Sequence, residues 1–224
     1  MKQNKAEKLL AGVLSIALAM GVSVMPAFAA QVQGPPYEDM SRVYLTKNYE
    51  LANTGTLSPE ETFTFTIDPG TVTDASEGIE AADYMPTVGD VTYAQGEAGS
   101  ANKTKQIEIQ LPEYDSVGVY TYIIHEVAGN SAGVTYYGDA ILLRVTVIEQ
   151  DGKLRIAAVH TEDPESTGEG KKDDFDNLYS AGELEVHKDV EGIMGNKEKY
   201  FEFRVQLTGE EGKTYQDSYA ITGG

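Results

Sequence analysis

From residue 42 onward the sequence alternates apolar and polar residues with a period of two, and helical periodicity is almost absent. Segments rich in Val, Ile, Thr and Tyr fall at 42–49, 61–67, 90–94, 105–111, 117–127, 134–148, 153–161, 173–179, 183–190 and 200–207. These residue types suit a pleated, half-buried surface, so each segment is expected as a strand. Asp68-Pro69-Gly70, Gly129-Asn130, Asp151-Gly152 and Gly168-Glu169-Gly170 punctuate them as turns. Asp151-Gly152 between two good strands predicts a tight hairpin. The stretch 70–104 is polar and Gly-rich and is expected as a long surface excursion. Many short strands at this spacing predict an all-β fold, an Ig-like Greek-key β-sandwich.

Ahead of the strands, residues 1–29 have the pattern of a secretory signal peptide. Lys2, Lys5 and Lys8 form a basic start, Leu9 to Val24 is an uncharged apolar run, and Ala27-Phe28-Ala29 supplies a small-x-small cleavage pattern. The run is short for a membrane span, so no membrane partner is expected after cleavage. Residues 30–40, with Gly34-Pro35-Pro36, read as a linker. The chain has 17 Lys+Arg against 36 Asp+Glu, a net charge of −19, which argues against a nucleic-acid partner. It has no Cys, which excludes disulfides, thiolate metal sites and Cys nucleophiles. Its three His are widely spaced, so no metal and no cofactor are expected.

The chain also begins again near its end. Val43-Tyr44-Leu45-Thr46-Lys47 is followed by Phe63-Thr64-Phe65-Thr66-Ile67; Leu184-Glu185-Val186-His187-Lys188 is followed by Phe201-Glu202-Phe203-Arg204-Val205. Such an echo implies tandem domains. Residues 41–182 are therefore expected as one sandwich, and 183–224 as the beginning of a second, incomplete one. So few strands cannot close a sandwich, so either the sequence continues or another chain completes the unit.

Three polar residues stand in phase with apolar faces. Residues i, i+2 and i+4 of a strand share a face. Lys47 falls in with Val43, Leu45 and Tyr49; Glu126 with Tyr120, Tyr122 and Ile124; Asn177 between Phe175 and Tyr179. One account is a buried Lys47–Glu126 ion pair with Asn177 bonded nearby, or an edge strand whose polar group reaches water. The other is chemical. A desolvated Lys loses its charge more readily, and a neutral amine is a nucleophile. An Asn carboxamide whose carbonyl is polarised by a protonated acid can accept it. The product is a Lys–Asn isopeptide bond, made once, with ammonia as leaving group.

Four pieces in order carry a family resemblance: Val-Tyr-Leu-Thr-Lys at 43–47, Phe-Thr-Phe-Thr-Ile at 63–67, Tyr-Thr-Tyr-Ile-Ile-His-Glu at 120–126 and Phe-Asp-Asn-Leu-Tyr at 175–179. Over residues 41–182 the chain resembles the pilin isopeptide-linkage domain of Gram-positive pilus shafts, the streptococcal major-pilin type. The resemblance implies Lys47 as nucleophile, Asn177 as acceptor and Glu126 as the catalytic proton shuttle of the self-crosslink. It implies Lys188 as the nucleophile of the next domain, where no bond is expected because its acid and Asn are not in this sequence. It also implies a surface Lys that a sortase joins to the next subunit, for which Lys171 and Lys172 are candidates; the alternative for both is a solvated hairpin.

The expected function is structural: a cell-surface pilin or pilin-like adhesin stalk, secreted or held in a cell-wall pilus, with other pilin subunits and a sortase as partners. It is not expected to be an enzyme beyond its single-turnover self-crosslinking. The alternative is a secreted binding module for a surface ligand or carbohydrate, which 14 Tyr would suit. Asp173, Asp174 and Asp176 offer the hard oxygens calcium takes, but strand alternation divides them between faces. His125 falls on the face opposite Glu126.

Overall fold

The computed structural model describes residues 39–54, 56–165, 170–182, 184–192, 195–196 and 198–217. The signal peptide and nearly all of the linker lie outside the described residues. Ten strands follow one another: β1 (Arg42–Leu51), β2 (Glu61–Thr73), β3 (Thr87–Val88), β4 (Val91–Tyr93), β5 (Thr104–Gln110), β6 (Gly118–Val127), β7 (Val134–Thr135), β8 (Ala140–Gln150), β9 (Lys153–Glu162) and β10 (Asp174–Tyr179). They form two five-stranded sheets, ordered β3-β5-β1-β10-β7 and β4-β2-β6-β8-β9. The fold is an all-β sandwich, as the alternation requires: a sheet with one apolar face must bury it against another.

The buried face of β1 carries Leu45, Lys47 and Tyr49; that of β6 carries Tyr120, Tyr122, Ile124 and Glu126; that of β10 carries Phe175, Asn177 and Tyr179. Among the described residues every strand pair is antiparallel except one. β1 and β10 run parallel, in a register that sets Lys47 opposite Phe175 and Tyr49 opposite Asn177. β1 therefore starts at one pole of the sheet and β10 leaves at the other. The Asp151-Gly152 hairpin forms as expected between β8 and β9. Both residues take positive φ, 54° and 73°, the signature of a type I′ turn whose twist matches the flanking strands.

Three expectations are corrected. The run 134–148 is not one strand: β7 belongs to the first sheet and β8 to the second, so the chain crosses between sheets at 136–139. The stretch 70–104 is not an excursion over the surface, because Ala81, Val91, Tyr93 and Ala98 are buried. Tyr93 donates its hydroxyl to the carbonyls of Lys47 (2.7 Å) and Lys103 (2.9 Å), which lets a ring with a polar tip sit inside the sandwich. Finally, the described residues of 183–190 and 200–207 form no strand. Leu184, Val186, Phe203 and Val205 are between 54% and 67% exposed, since no sheet among the described residues faces them.

Candidate functional site: a buried lysine, glutamate and asparagine

β1 and β10 bring Lys47 and Asn177 onto one face, two positions apart across their parallel register. Glu126 reaches them from β6 in the opposite sheet. Lys47 is fully buried and Asn177 is 2% exposed. The side chain of Glu126 has no exposure at all. Each of the three points into the core, as its phase in the strand requires, and the pairing of the sheets brings them together there.

Their contacts close a triangle. Lys47 Nζ donates to Glu126 Oε2 at 2.8 Å, and also to Asn177 Oδ1. Asn177 Nδ2 donates to Glu126 Oε1, which also accepts the Tyr137 backbone N–H at 3.3 Å. Lys47 Nζ makes a further contact with the Phe175 carbonyl at 3.4 Å. The carboxylate thus faces the two nitrogens, and the carbonyl oxygen of Asn177 is met by the amine. Aromatic rings wall the site. The Lys47 ammonium stands 4.2 Å from the centroid of Phe63, and Phe175 packs against Phe65 at 5.1 Å and Tyr137 at 5.2 Å.

Burial pulls the Lys47 amine down to a pKa of about 8, outweighing the Glu126 hydrogen bond and charge that push it back up. Desolvation disfavours the ammonium, and the carboxylate returns only part of that cost. At neutral pH this raises the neutral, nucleophilic fraction of the amine by roughly two orders of magnitude over a solvated lysine. An amine beside a carboxamide, with an acid touching both nitrogens and water excluded, is an arrangement suited to acyl transfer.

The other candidates are not part of this cluster. His125 is on the outer face, half exposed, with Asp68 at 3.9 Å. Lys171 is exposed and pairs with Asp173 at 2.5 Å; Lys172 is more covered, pairs with Asp174 at 3.0 Å and lies over the Tyr137 ring at 5.2 Å. Asp176 accepts from Asn48, so the three acids face separate partners. Lys188 is exposed, its Nζ 5.2 Å from the Phe201 centroid. Sequence reasoning missed Tyr137, whose backbone N–H holds Glu126. Its signal was the Tyr136-Tyr137-Gly138 break in the 134–148 run.

The structure thus defines a two-sheet all-β sandwich with a buried Lys, Glu and Asn in mutual contact at its centre. The chain belongs to the family described as the Spy0128-like isopeptide containing domain, FctA, whose model matches residues 43–180. A separate model, described as a domain of unknown function (DUF7601), matches residues 182–224. A pilin of Streptococcus pyogenes serotype M1 is 27% identical over 195 residues, covering 85% of this chain and 56% of that protein. The crystal structure of the major pilin from Streptococcus pyogenes superposes with a TM-score of 0.55 at 26% identity, over 71% of this chain and 57% of that one. A major pilin from another Streptococcus pyogenes serotype gives a TM-score of 0.52 at 20% identity, over 63% and 53% of the two chains, and shows the fold alone. The chain spans just over half the length of these relatives.

Proposed function

We propose that this chain is a pilin subunit, exported to the bacterial surface, whose sandwich staples itself by an isopeptide bond from Lys47 to Asn177. The observation that carries the reading is the buried triangle of Lys47, Glu126 and Asn177 with its desolvated amine. Glu126 Oε2 takes a proton from Lys47 Nζ, and the neutral amine attacks Asn177 Cγ. Glu126 Oε1 passes that proton to Nδ2 and takes the second Nζ proton as the Cγ–Nδ2 bond breaks, and the released ammonia carries this proton away as ammonium. The Nζ–Cγ amide remains and Glu126 is regenerated as a carboxylate. This nitrogen-to-nitrogen route follows from which atoms the carboxylate touches. Pre-formed contact supplies most of the rate, and exclusion of water protects the product.

Two further assignments rest on the same reading. Of the two lysines before β10, Lys171 suits attachment to a neighbouring subunit by a sortase, since its amine is the exposed one. Residues 183–224 belong to a second unit, supported by the separate family match at 182–224 and by the alternating apolar residues there.

Intact mass of the folded chain lacking residues 1–29 tests the bond. The parent is expected lighter by one ammonia, and Lys47→Ala, Glu126→Ala and Asn177→Ala at full mass. A folded parent at full mass removes the chemistry and leaves a buried polar cluster; a binding module then becomes the better account of the chain.

A further inference from the structure

At the pole of the sandwich where β10 ends, the segment around Thr214 is seated on the first domain by six hydrogen bonds. Thr214 forms a parallel bridge with Ser131: its N–H donates to the Asn130 carbonyl (2.9 Å), and the Ala132 N–H donates to its carbonyl (2.7 Å). Thr214 Oγ1 also donates to Asn130 Oδ1 at 3.2 Å. Two residues on, the carboxamide of Gln216 is read from both ends. Its Nε2 donates to the Leu57 carbonyl (3.0 Å) and the Tyr179 hydroxyl (2.9 Å), and its Oε1 accepts from Gln95 Nε2 (3.2 Å). The receiving groups come from four separate places in the sandwich, so they report its assembled form.

Both halves of this contact are shaped in advance. On the sandwich side, Ser131 Oγ donates to Glu61, and the Tyr136 hydroxyl donates to Glu61 Oε1 at 2.8 Å while accepting the Ser131 N–H at 3.1 Å. Glu61 is only 8% exposed, and these hydroxyls hold it inside the sandwich. Gly129 and Gly133 let the loop close: a Cβ at Gly129 would lie 2.5 Å from the Tyr136 hydroxyl, and one at Gly133, where φ is +81°, 2.3 Å from the Ser180 carbonyl. On the other side, the Tyr215 hydroxyl accepts the Glu210 N–H at 2.7 Å and the Lys213 N–H bonds the Glu210 carbonyl at 3.3 Å, which folds 210–215 into a compact turn.

We infer that the loop at 129–133, held in shape by Glu61, is a docking site that clasps the segment Lys213–Gln216 of the same chain and so fixes the second unit against the pole of the sandwich. Such pre-organisation on both sides lowers the ordering cost of docking. Glu61 is a positioning residue here, since it touches the loop and not the docked segment. The clasp restrains the joint between the units, so a bend there must first break the Thr214 bridge and the Gln216 contacts. This inference does not depend on the Lys47–Asn177 bond.

Residue-resolved amide hydrogen exchange on the full chain without residues 1–29 tests it. The amides of Thr214 and Ala132 are expected to exchange at least about tenfold more slowly than the exposed, unbonded amides of the second unit. Thr214→Pro removes the bridging N–H and hydroxyl together. It is expected to abolish protection at Ala132 while leaving the core amides of β6 unchanged. Glu61→Gln is expected to speed exchange at Ala132 and Thr214 together, again with β6 unchanged; a general weakening of the sandwich would instead raise all three in step. Random-coil exchange at Thr214 in the parent, or Ala132 protection that survives Thr214→Pro, overturns the clasp. A uniform rise in Glu61→Gln overturns the positioning role.

Discussion

Asn177→Ala removes the acceptor while leaving the Lys47–Glu126 pair in place, so it separates the staple from the ion pair. The bond would close a ring between positions 130 apart. By analogy with a disulfide, constraining an unfolded loop of that length stabilises by about 5 kcal/mol. The substitution also deprives Lys47 of one acceptor and shrinks a buried side chain, which costs roughly a further 1–3 kcal/mol. For a domain of this size each kcal/mol moves the midpoint by roughly 4 °C, so Asn177→Ala is expected to melt roughly 20–30 °C below the parent. Differential scanning calorimetry reads this directly, with intact mass recorded on the same samples. The scan rate is varied, because a stapled surface domain can be kinetically rather than thermodynamically stable. A parent lighter by one ammonia that melts within about 5 °C of Asn177→Ala would refute the ring-entropy reasoning, even though the bond existed.

Other consequences follow from the same structure. In Asn177→Ala the Lys47 amine still titrates, and the burial that lowers it to about 8 in the chain with Asn177 is expected to hold it below the ordinary 10.5 of the unfolded state. Between those values the unfolded chain binds more protons, so stability is expected to rise from pH 8 towards 10; urea titrations should show this in the variant and not in the stapled parent, whose amide nitrogen does not titrate. Gly70→Ala would place a Cβ 2.5 Å from Thr121 Oγ1, at the irregularity between Pro69 and Val72. It is expected to destabilise by about 1–3 kcal/mol in chemical denaturation without preventing the ammonia loss. Lys171→Ala is expected to stop sortase-dependent ladder formation on denaturing gels, and Lys172→Ala to permit it. His125→Ala is expected to leave the mass deficit of the parent intact, since its ring lies on the outer face.

How far this arrangement could be read from sequence differs from residue to residue. Lys47, Glu126 and Asn177 were legible because each stands in an uninterrupted strand, where a period of two leaves no doubt about the face. That they meet was not legible from phase alone. Meeting depends on β1 lying parallel to β10 with a given register and on β6 lying across the core, and both are properties of the assembled sheets. The strand at 90–94 was legible, but the burial of Tyr93 was not, because three residues in a Gly-rich stretch are too few to show which face meets the core. The crossing at 136–139 was hidden for the opposite reason: residues on either side of it are equally strand-like, and the sequence does not mark which sheet each joins. At 183–207 the alternation is as clear as in β1, yet no strand forms among the described residues. Alternation records a face fit for burial, and a ladder needs something to bury it against.

The parallel pairing of β1 with β10 has a topological consequence. With Lys47 joined to Asn177, the polypeptide becomes a closed ring carrying two tails, one leaving from each pole of the sandwich. Cutting any single peptide bond between the two joined residues opens the ring but releases nothing, because the tails remain connected through the side-chain amide. The loops between the strands could then be nicked or lengthened without severing the molecule. Its covalent continuity from one end to the other would depend on the two tails and a single amide bond in the dry centre of the fold.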